Sequence, residues 1–173
     1  MNSFQQNSKH IIIALIVIVL AWSCSVKYSF TGASISPDVK TVSVAYFQNL
    51  STLVNPTLSS LFTEELKNRF VSQTRLSMVS DFGDLNFSGE IKNYQVTPVA
   101  IQGNETAASN RLTITIRVKF VNSKDEKQNF DKSFSRYEDF DSQEQFNSIE
   151  GELVKIIVDK LVEDVFNGAV ANW

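Results

Sequence analysis

The feature that most constrains the fold is a strict alternation of polar and apolar side chains in the middle of the chain. Between positions 111 and 120 every second residue is apolar, and the residues between them are basic or hydroxylated. The apolar set is Leu112, Ile114, Ile116, Val118 and Phe120, and the polar set is Arg111, Thr113, Thr115, Arg117 and Lys119. Because successive side chains of a strand point to opposite faces, this pattern predicts a strand with one buried and one solvated face, as in antiparallel sheets.

Weaker patterns on either side predict the other elements. Strands are predicted over residues 41–47, 84–101 and 130–138. One helix is predicted over residues 56–73. A second should begin at a capping box formed by Asp141 and Glu144 and end at Asn167-Gly168. The order β-α-β-β-β-α predicts an α+β fold in which two helices cover one face of a sheet.

The first 24 residues have the features of an export signal. Lys9 precedes an apolar run over residues 11–22, and the small residue Ser23 stands directly before Cys24. As a helix this run would rise only about 18 Å, against roughly 30 Å of bilayer core, which disfavours the alternative of a permanent membrane span. The arrangement resembles a bacterial lipoprotein signal, although Ala21 stands where Leu is usual. We therefore expect acyl chains on Cys24; the alternative is a free cysteine in an ordinary signal peptide.

Removal of such a signal leaves few side chains suited to catalysis. The only histidine, His10, belongs to the signal, and the only cysteine is the expected acylation site. Catalysis by serine–histidine or cysteine–histidine pairs and histidine-bound metals are therefore excluded, and we expect no enzyme, no metal and no cofactor. The formal net charge of −3 argues against a nucleic-acid partner.

Two groups of acidic residues remain as candidates for carboxylate catalysis or calcium binding, and each has a structural explanation. Glu138, Asp139 and Asp141 precede a predicted helix, where negative charge is favourable. The segment Asp81-Phe82-Gly83-Asp84 is predicted as a turn, since it lacks the spaced oxygen ligands of a calcium loop.

Several short segments after Cys24 resemble one family, and together they cover nearly the whole remaining chain. They are Tyr28-Ser29-Phe30-Thr31-Gly32, Val42-Ser43-Val44-Ala45-Tyr46-Phe47-Gln48-Asn49, Asn110-Arg111-Leu112-Thr113-Ile114, Phe134-Ser135-Arg136-Tyr137-Glu138-Asp139-Phe140, and Asp164-Val165-Phe166-Asn167 with Trp173. In these segments the chain resembles the LptE family of lipopolysaccharide-assembly lipoproteins, in the form found in Bacteroidetes.

The resemblance implies a location and a partner. Proteins of this family sit at the periplasmic face of the outer membrane, anchored through the acylated cysteine. They form a plug in the lumen of the LptD β-barrel, and the pair inserts lipopolysaccharide into the outer leaflet. Surface-exposed lipoproteins of this bacterial group carry an acidic or lysine-led tag after the cysteine. Residues 25–28 contain one lysine and no acid, so we expect retention on the periplasmic face.

The resemblance also implies a fold and a domain organisation. The fold is two helices packed on one face of a four-stranded mixed, mostly antiparallel sheet. The organisation is a signal peptide over residues 1–23, a lipidated tether over 24–38 and a single LptE-like domain over 39–173. The alternative function is that of a structural or adaptor lipoprotein of another cell-envelope secretion complex.

Four basic residues are candidates for direct binding of lipopolysaccharide. Lipid A phosphates require clustered cations, and arginine pairs well with phosphate oxygens. Arg117 and Lys119 are two residues apart on the polar face of the central strand, and Arg111 is on the same face. Lys92 would lie nearby if the two strands pair. The alternative is a solvated sheet face without a ligand.

Two phenylalanines are candidates for the interface with the barrel. Phe47 near the end of the first strand and Phe140 before the last helix fall where loops should carry them outward. Exposed aromatic rings are enriched in the cores of protein interfaces. The alternative is that both rings fold back under their loops.

Overall fold

The computed structural model describes residues 35–53, 55–99 and 108–170. The predicted signal, Cys24 and most of the predicted tether lie outside the described residues. The elements in chain order are β1 (Thr41–Val44), β2 (Gln48–Asn49), α1 (Leu58–Gln73), β3 (Ser77–Met78), β4 (Leu85–Val99), β5 (Ser109–Asn122), a short 3₁₀ turn (Glu126–Gln128), β6 (Phe130–Asp141) and α2 (Phe146–Val170). No helix in this described part combines the length and the apolar character needed to cross a membrane.

The strands form one mixed sheet in the order β3-β1-β4-β5-β6, with β2 beside the middle of β4. β1 is parallel to β3 and β4, and β2 is parallel to β4, whereas β4, β5 and β6 are antiparallel neighbours. The predicted α+β class with two helices and a mixed sheet is confirmed. The predicted count of four strands is wrong, because the described residues form a six-stranded sheet. The additional strands β2 and β3 have only two residues each, too few for any alternation to show.

Both helices contribute to the same core, and aromatic rings connect the layers. The ring of Phe70 in α1 lies 4.8 Å from that of Phe87 in β4 and 5.0 Å from that of Phe166 in α2, measured between centroids. Phe87 in turn lies 4.8 Å from Phe120 in β5. The whole apolar set of the alternating strand is buried in this core. Its polar set lies on the opposite face, as the alternation predicts.

The two helices run in the same direction, so the domain has two distinct ends. Asn55, just before α1, donates a hydrogen bond to Glu150 near the start of α2 at 2.8 Å, and the last turns of both helices meet through the ring contact noted above. After α1, the backbone N–H of Ser77 donates to the carbonyl of Lys40 at 2.9 Å. The helices therefore finish beside the start of β1 and β4. We call this the Lys40 end, and the opposite end, where β4 finishes, the Val99 end.

The predicted boundaries of the last helix are wrong. Asp141 is the last residue of β6, and its carboxylate accepts a hydrogen bond from the backbone N–H of Gln143 in the turn before the helix. The helix begins at Phe146 instead. It also continues past Gly168 to Val170, because the last residues are still buried against the core. The predicted stop signal is overridden by tertiary packing.

Candidate functional site

The sheet face that points away from the helices, here called the open face, carries three of the four basic candidate residues and adjoins the fourth. Antiparallel register places the polar side chains of three strands side by side; Arg117 of β5, for example, lies opposite Glu90 of β4 and Ser133 of β6. The open face is formed by Ser88, Glu90, Asn93, Gln95, Thr97, Arg111, Thr113, Thr115, Arg117, Lys119, Asp131, Ser133, Ser135, Tyr137 and Asp139.

Arg117 is held by a carboxylate on the neighbouring strand. Its Nε and Nη2 donate to the two carboxylate oxygens of Asp131, each at 2.8 Å. This fork-to-fork geometry raises the pKa of the Arg117 guanidinium, chiefly through the hydrogen bond to Asp131. The same hydrogen bond lowers the pKa of the Asp131 carboxyl. Both side chains are exposed, so the pair positions the guanidinium more than it stabilises the fold.

Two further cations lie close to this pair. Lys119 lies directly opposite Asp131 on β6. Lys92 lies at the β-bulge of β4, and its Nζ is 3.3 Å from the carboxylate of Glu90, which faces Arg117. We call Lys92, Glu90, Arg117, Lys119 and Asp131 the Arg117 cluster. The structure therefore brings together three of the four predicted basic residues, interleaved with two acids.

Arg111 is not part of this cluster. It lies six residues before Arg117 on β5, about 20 Å away at strand spacing. Its Nε and Nη2 donate to Asp139 at 2.7 and 2.8 Å, and its guanidinium stacks 3.7 Å from the ring centroid of Tyr137. Arg111 therefore lies on the same polar face, as predicted, but at a distance from the other three cations, because a strand separates residues that are six positions apart.

The acids determine what the Arg117 cluster can do chemically. Asp131 occupies the Nε and Nη2 donors of Arg117, so a phosphate must displace that carboxylate before it can take the same bidentate position. Lys119 makes no ion pair with any residue in the described part of the chain. An anion can therefore approach Lys119 without breaking an ion pair within the described residues.

The sequence analysis did not identify Asp131 and Asp139 as partners of the arginines, although the sequence contained a signal for this pairing. Both lie on the β6 face that meets the basic side chains of β5. Counting outward from the hairpin between β5 and β6 would have placed these acids opposite or diagonal to the arginines. Opposite charges across neighbouring strands are a common stabilising arrangement, so their presence favours a charge-balanced face over a purely basic one.

The expected exposure of the two phenylalanines is wrong. Phe47 is 0% exposed and packs edge to face on Phe62 of α1, with 4.9 Å between the ring centroids. Its backbone N–H donates a hydrogen bond to the Thr63 hydroxyl, and β2, which follows directly, pairs with β4. These two contacts hold the ring against the core. Phe140 is 7% exposed and lies inside β6, which extends further than predicted, with its ring 5.6 Å from that of Phe146. Neither ring can contact a partner in this conformation. Among the residues that the structure describes, the large apolar side chains that are exposed are Tyr46, Leu50, Leu53, Val71, Phe82, Tyr137 and Ile156.

The three acids before the last helix each make a separate structural contact. Glu138 pairs with Lys160 of α2, and Asp139 pairs with Arg111. Asp141 caps the turn after β6. Within residues 35–53, 55–99 and 108–170, no group of three or more His, Cys, Asp or Glu side chains is arranged to hold a metal ion.

Comparison with known proteins shows the fold and the family. In fold, the chain is similar to a hypothetical protein from Chlamydia trachomatis, with 12% identity, a TM-score of 0.52 and coverage of 78% of this chain and 99% of the other. A minor lipoprotein from Acinetobacter baumannii matches at 14% identity with a TM-score of 0.47, over 75% of this chain and 91% of the other. No curated protein matches the chain significantly. The model of the LptE lipopolysaccharide-assembly family matches residues 39–167, and the chain therefore belongs to this non-enzymatic family.

Proposed function

We propose that this protein is an outer-membrane lipoprotein that plugs the lumen of an LptD-like β-barrel and supports its assembly. The acyl chains on Cys24 would hold it at the periplasmic face, and the pair would insert lipopolysaccharide into the outer leaflet. The observation that carries this proposal is the family match over residues 39–167, which covers all six strands, the first helix and all but the last three residues of the second.

The surface of the domain is compatible with a position inside a barrel. The lumen of a large outer-membrane barrel is lined by polar side chains. The open face offers a complementary surface in which the arginines are paired with acids and the hydroxyls of Thr115 and Ser135 are hydrogen bonded at 2.9 Å. Because both arginines of this face are already paired with acids, burial against polar walls leaves neither guanidinium unpaired.

We further propose that the Arg117 cluster is the contact for lipid A phosphates. Lys119 would meet the phosphate first, and Arg117 would then exchange Asp131 for phosphate oxygens. Because Asp131 and Glu90 compete for the cations, binding through this cluster is weak and reversible. Weak binding suits a protein that hands lipopolysaccharide on rather than storing it.

The experiment that tests the proposed function is co-purification from membranes in mild detergent. The acylated protein should bring down a large outer-membrane β-barrel in stoichiometric amount. Recovery with a different secretion complex instead, without the barrel, would favour the adaptor alternative. A chain with Cys24→Ala serves as control, since it should lose membrane attachment while its domain, which begins well after this residue, still folds.

A further inference from the structure

The turn between β3 and β4 displays one aromatic ring to solvent in an unfavourable backbone conformation. Phe82 is 97% exposed, and its φ of 55° lies in the left-handed region. Among the described residues it is the one non-glycine residue with positive φ. A bulky residue adopts this conformation at a cost, whereas Gly or Asn would adopt it more easily. Packing of the ring does not offset this cost, because the ring is almost fully exposed to water.

The backbone is fixed on both sides of Phe82: before it, the Val79 N–H donates to the Val42 carbonyl at 2.9 Å, and two further contacts follow it. Gly83 donates its backbone N–H to the Ser43 hydroxyl at 3.0 Å, and Asp84 donates to the Thr41 hydroxyl at 2.9 Å. A Cβ at Gly83 would lie 2.5 Å from the backbone nitrogen of Ser43, so the chain passes as close to β1 as glycine allows. The fold therefore holds the ring outward rather than merely failing to cover it.

The position of this turn indicates which kind of partner the Phe82 ring contacts. It lies at the Lys40 end, which is also where the chain leaves the domain toward Cys24. Only residues 25–34 separate Cys24 from the first described residue, Ile35, and eleven steps of extended chain span at most about 40 Å. If Cys24 is acylated, as the proposed function requires, this end of the domain is kept within that distance of the bilayer.

We infer that Phe82 inserts into the interfacial region of the lipid bilayer and orients the anchored domain. Aromatic rings partition favourably into this region, where apolar acyl chains meet polar headgroups. The charges at the Lys40 end are mixed. Lys124 is paired with Asp84 at 3.0 Å, and the other charged residues at this end are Lys40, Arg75, Lys127, Asp38, Asp81, Asp125 and Glu126. Such a surface suits zwitterionic lipid and gives no excess attraction to anionic lipid. This inference rests on the proposed acylation of Cys24 and adds to it a second point of contact.

The test uses the full acylated protein in phosphatidylethanolamine–phosphatidylcholine vesicles that carry a spin-labelled lipid. Phe82→Trp is made in a Trp173→Phe background, and its matched control is Leu53→Trp in the same background, since Leu53 is 56% exposed but lies on the side of the Val99 end. We expect the fluorescence of the Phe82→Trp protein to be quenched at least twofold more than that of the control, with little change in high salt. Equal quenching of the two, whether strong or weak, would overturn the inference.

Further measurements separate this inference from the proposed function. Mass spectrometry of the same preparation reports acylation, and its absence would overturn both the anchoring and the inference. Unquenched Phe82→Trp fluorescence in a protein that is acylated and still co-purifies with the barrel would overturn the inference alone. If Phe82→Ser instead reduces barrel recovery without any lipid quenching at this position, the ring contacts the protein partner and the lipid assignment is wrong.

Phe82→Gly should unfold at the same or a higher urea concentration than the parent, and a loss of stability would mean that the ring supports the fold.

Discussion

The hydroxyl of Tyr94 donates a hydrogen bond to the carboxylate of Glu150 at 2.5 Å and so joins the middle of β4 to the beginning of α2. The same carboxylate oxygen accepts a hydrogen bond from Asn55 at 2.8 Å, which adds the loop before α1. Tyr94 is buried, and this burial together with the Glu150 carboxylate raises the pKa of its hydroxyl above the usual range. The hydroxyl therefore remains a donor at every physiological pH.

Removal of this hydroxyl should destabilise the domain. Tyr94→Phe leaves the ring in place but deprives a half-buried carboxylate of a donor, and we expect the free energy of unfolding to fall by about 1–3 kcal/mol. Urea unfolding measures the loss. Tyr137→Phe is the matched control, because the Tyr137 hydroxyl is on an exposed ring and its removal should change stability little. Equal effects of the two substitutions would contradict a structural role for the link to Glu150.

Asp84 should make stability depend on pH in the acidic range. Its carboxylate accepts hydrogen bonds from the backbone N–H groups of Lys40 at 2.8 Å and Thr41 at 3.1 Å, and these bonds, the first above all, hold its pKa well below the usual range. Because the folded pKa is lower than the unfolded one, the stabilisation is complete above roughly pH 5 and is lost as the pH falls toward the folded value.

The substitution Asp84→Asn tests this assignment. At neutral pH we expect it to lower the free energy of unfolding by about 1–2 kcal/mol through the loss of charge-assisted hydrogen bonds. The difference from the parent should shrink as the pH is lowered to about 3, where unfolded carboxylates are protonated. Asp81→Asn in the same turn is the control. A difference that stays constant from neutral to acidic pH would show that the charge of Asp84 is not responsible.

Two glycines should respond in opposite directions to the same substitution. A Cβ on Gly89 in β4 would lie 2.0 Å from the carbonyl oxygen of Arg117 and 2.6 Å from the ring of Phe47. Gly89→Ala should therefore destabilise the domain by about 1–3 kcal/mol or more. In α2 nothing lies within 4 Å of a Cβ on Gly151, so Gly151→Ala should stabilise it by about 0.5–1 kcal/mol. Thermal or urea unfolding measures both, and a Gly89→Ala protein as stable as the parent would contradict the close approach of β5 and of the Phe47 ring to Gly89.

Reversing the charge of the Arg117 cluster should weaken binding of lipopolysaccharide. Arg117→Glu with Lys119→Glu removes two of the three cations and leaves Asp131 without its partner, so a phosphate meets a site in which acids outnumber the one remaining cation, Lys92. We expect affinity for purified lipopolysaccharide to fall severalfold while the domain, whose changed residues are exposed, stays folded. The control is Arg111→Glu with Lys155→Glu, which changes net charge equally but away from the cluster. If the control loses as much affinity, binding depends on overall charge and not on this site.

How far the sequence predicted the structure depends on how local the deciding interactions are. The central strand and both helices were predicted because ten or more residues repeat one period, and the buried set from Leu112 to Phe120 confirms it. The burial of Phe47 depends on the pairing of β2 with β4, some forty residues apart, and a two-residue strand carries no periodic signal. Local pattern therefore gave no sign that this ring turns inward.

The candidate site shows the same limit. The alternation correctly placed Arg117 and Lys119 on one polar face, because that depends on their own strand. That Arg117 is held by Asp131 follows from the register of β6, and that Arg111 is remote follows from distance along β5. Nor does any sequence pattern indicate the positive φ of Phe82, which is imposed by the contacts of Gly83 and Asp84 with β1.

The measurement that tests the proposed function most directly is the state of the barrel and of surface lipopolysaccharide after the protein is depleted from cells. A plug has to be present while its barrel closes. We therefore predict that complete depletion leaves the LptD-like barrel misassembled and lipopolysaccharide missing from the outer leaflet, and that re-expression of the parent chain restores both. Normal barrel assembly together with normal surface lipopolysaccharide after complete depletion would contradict the proposed function.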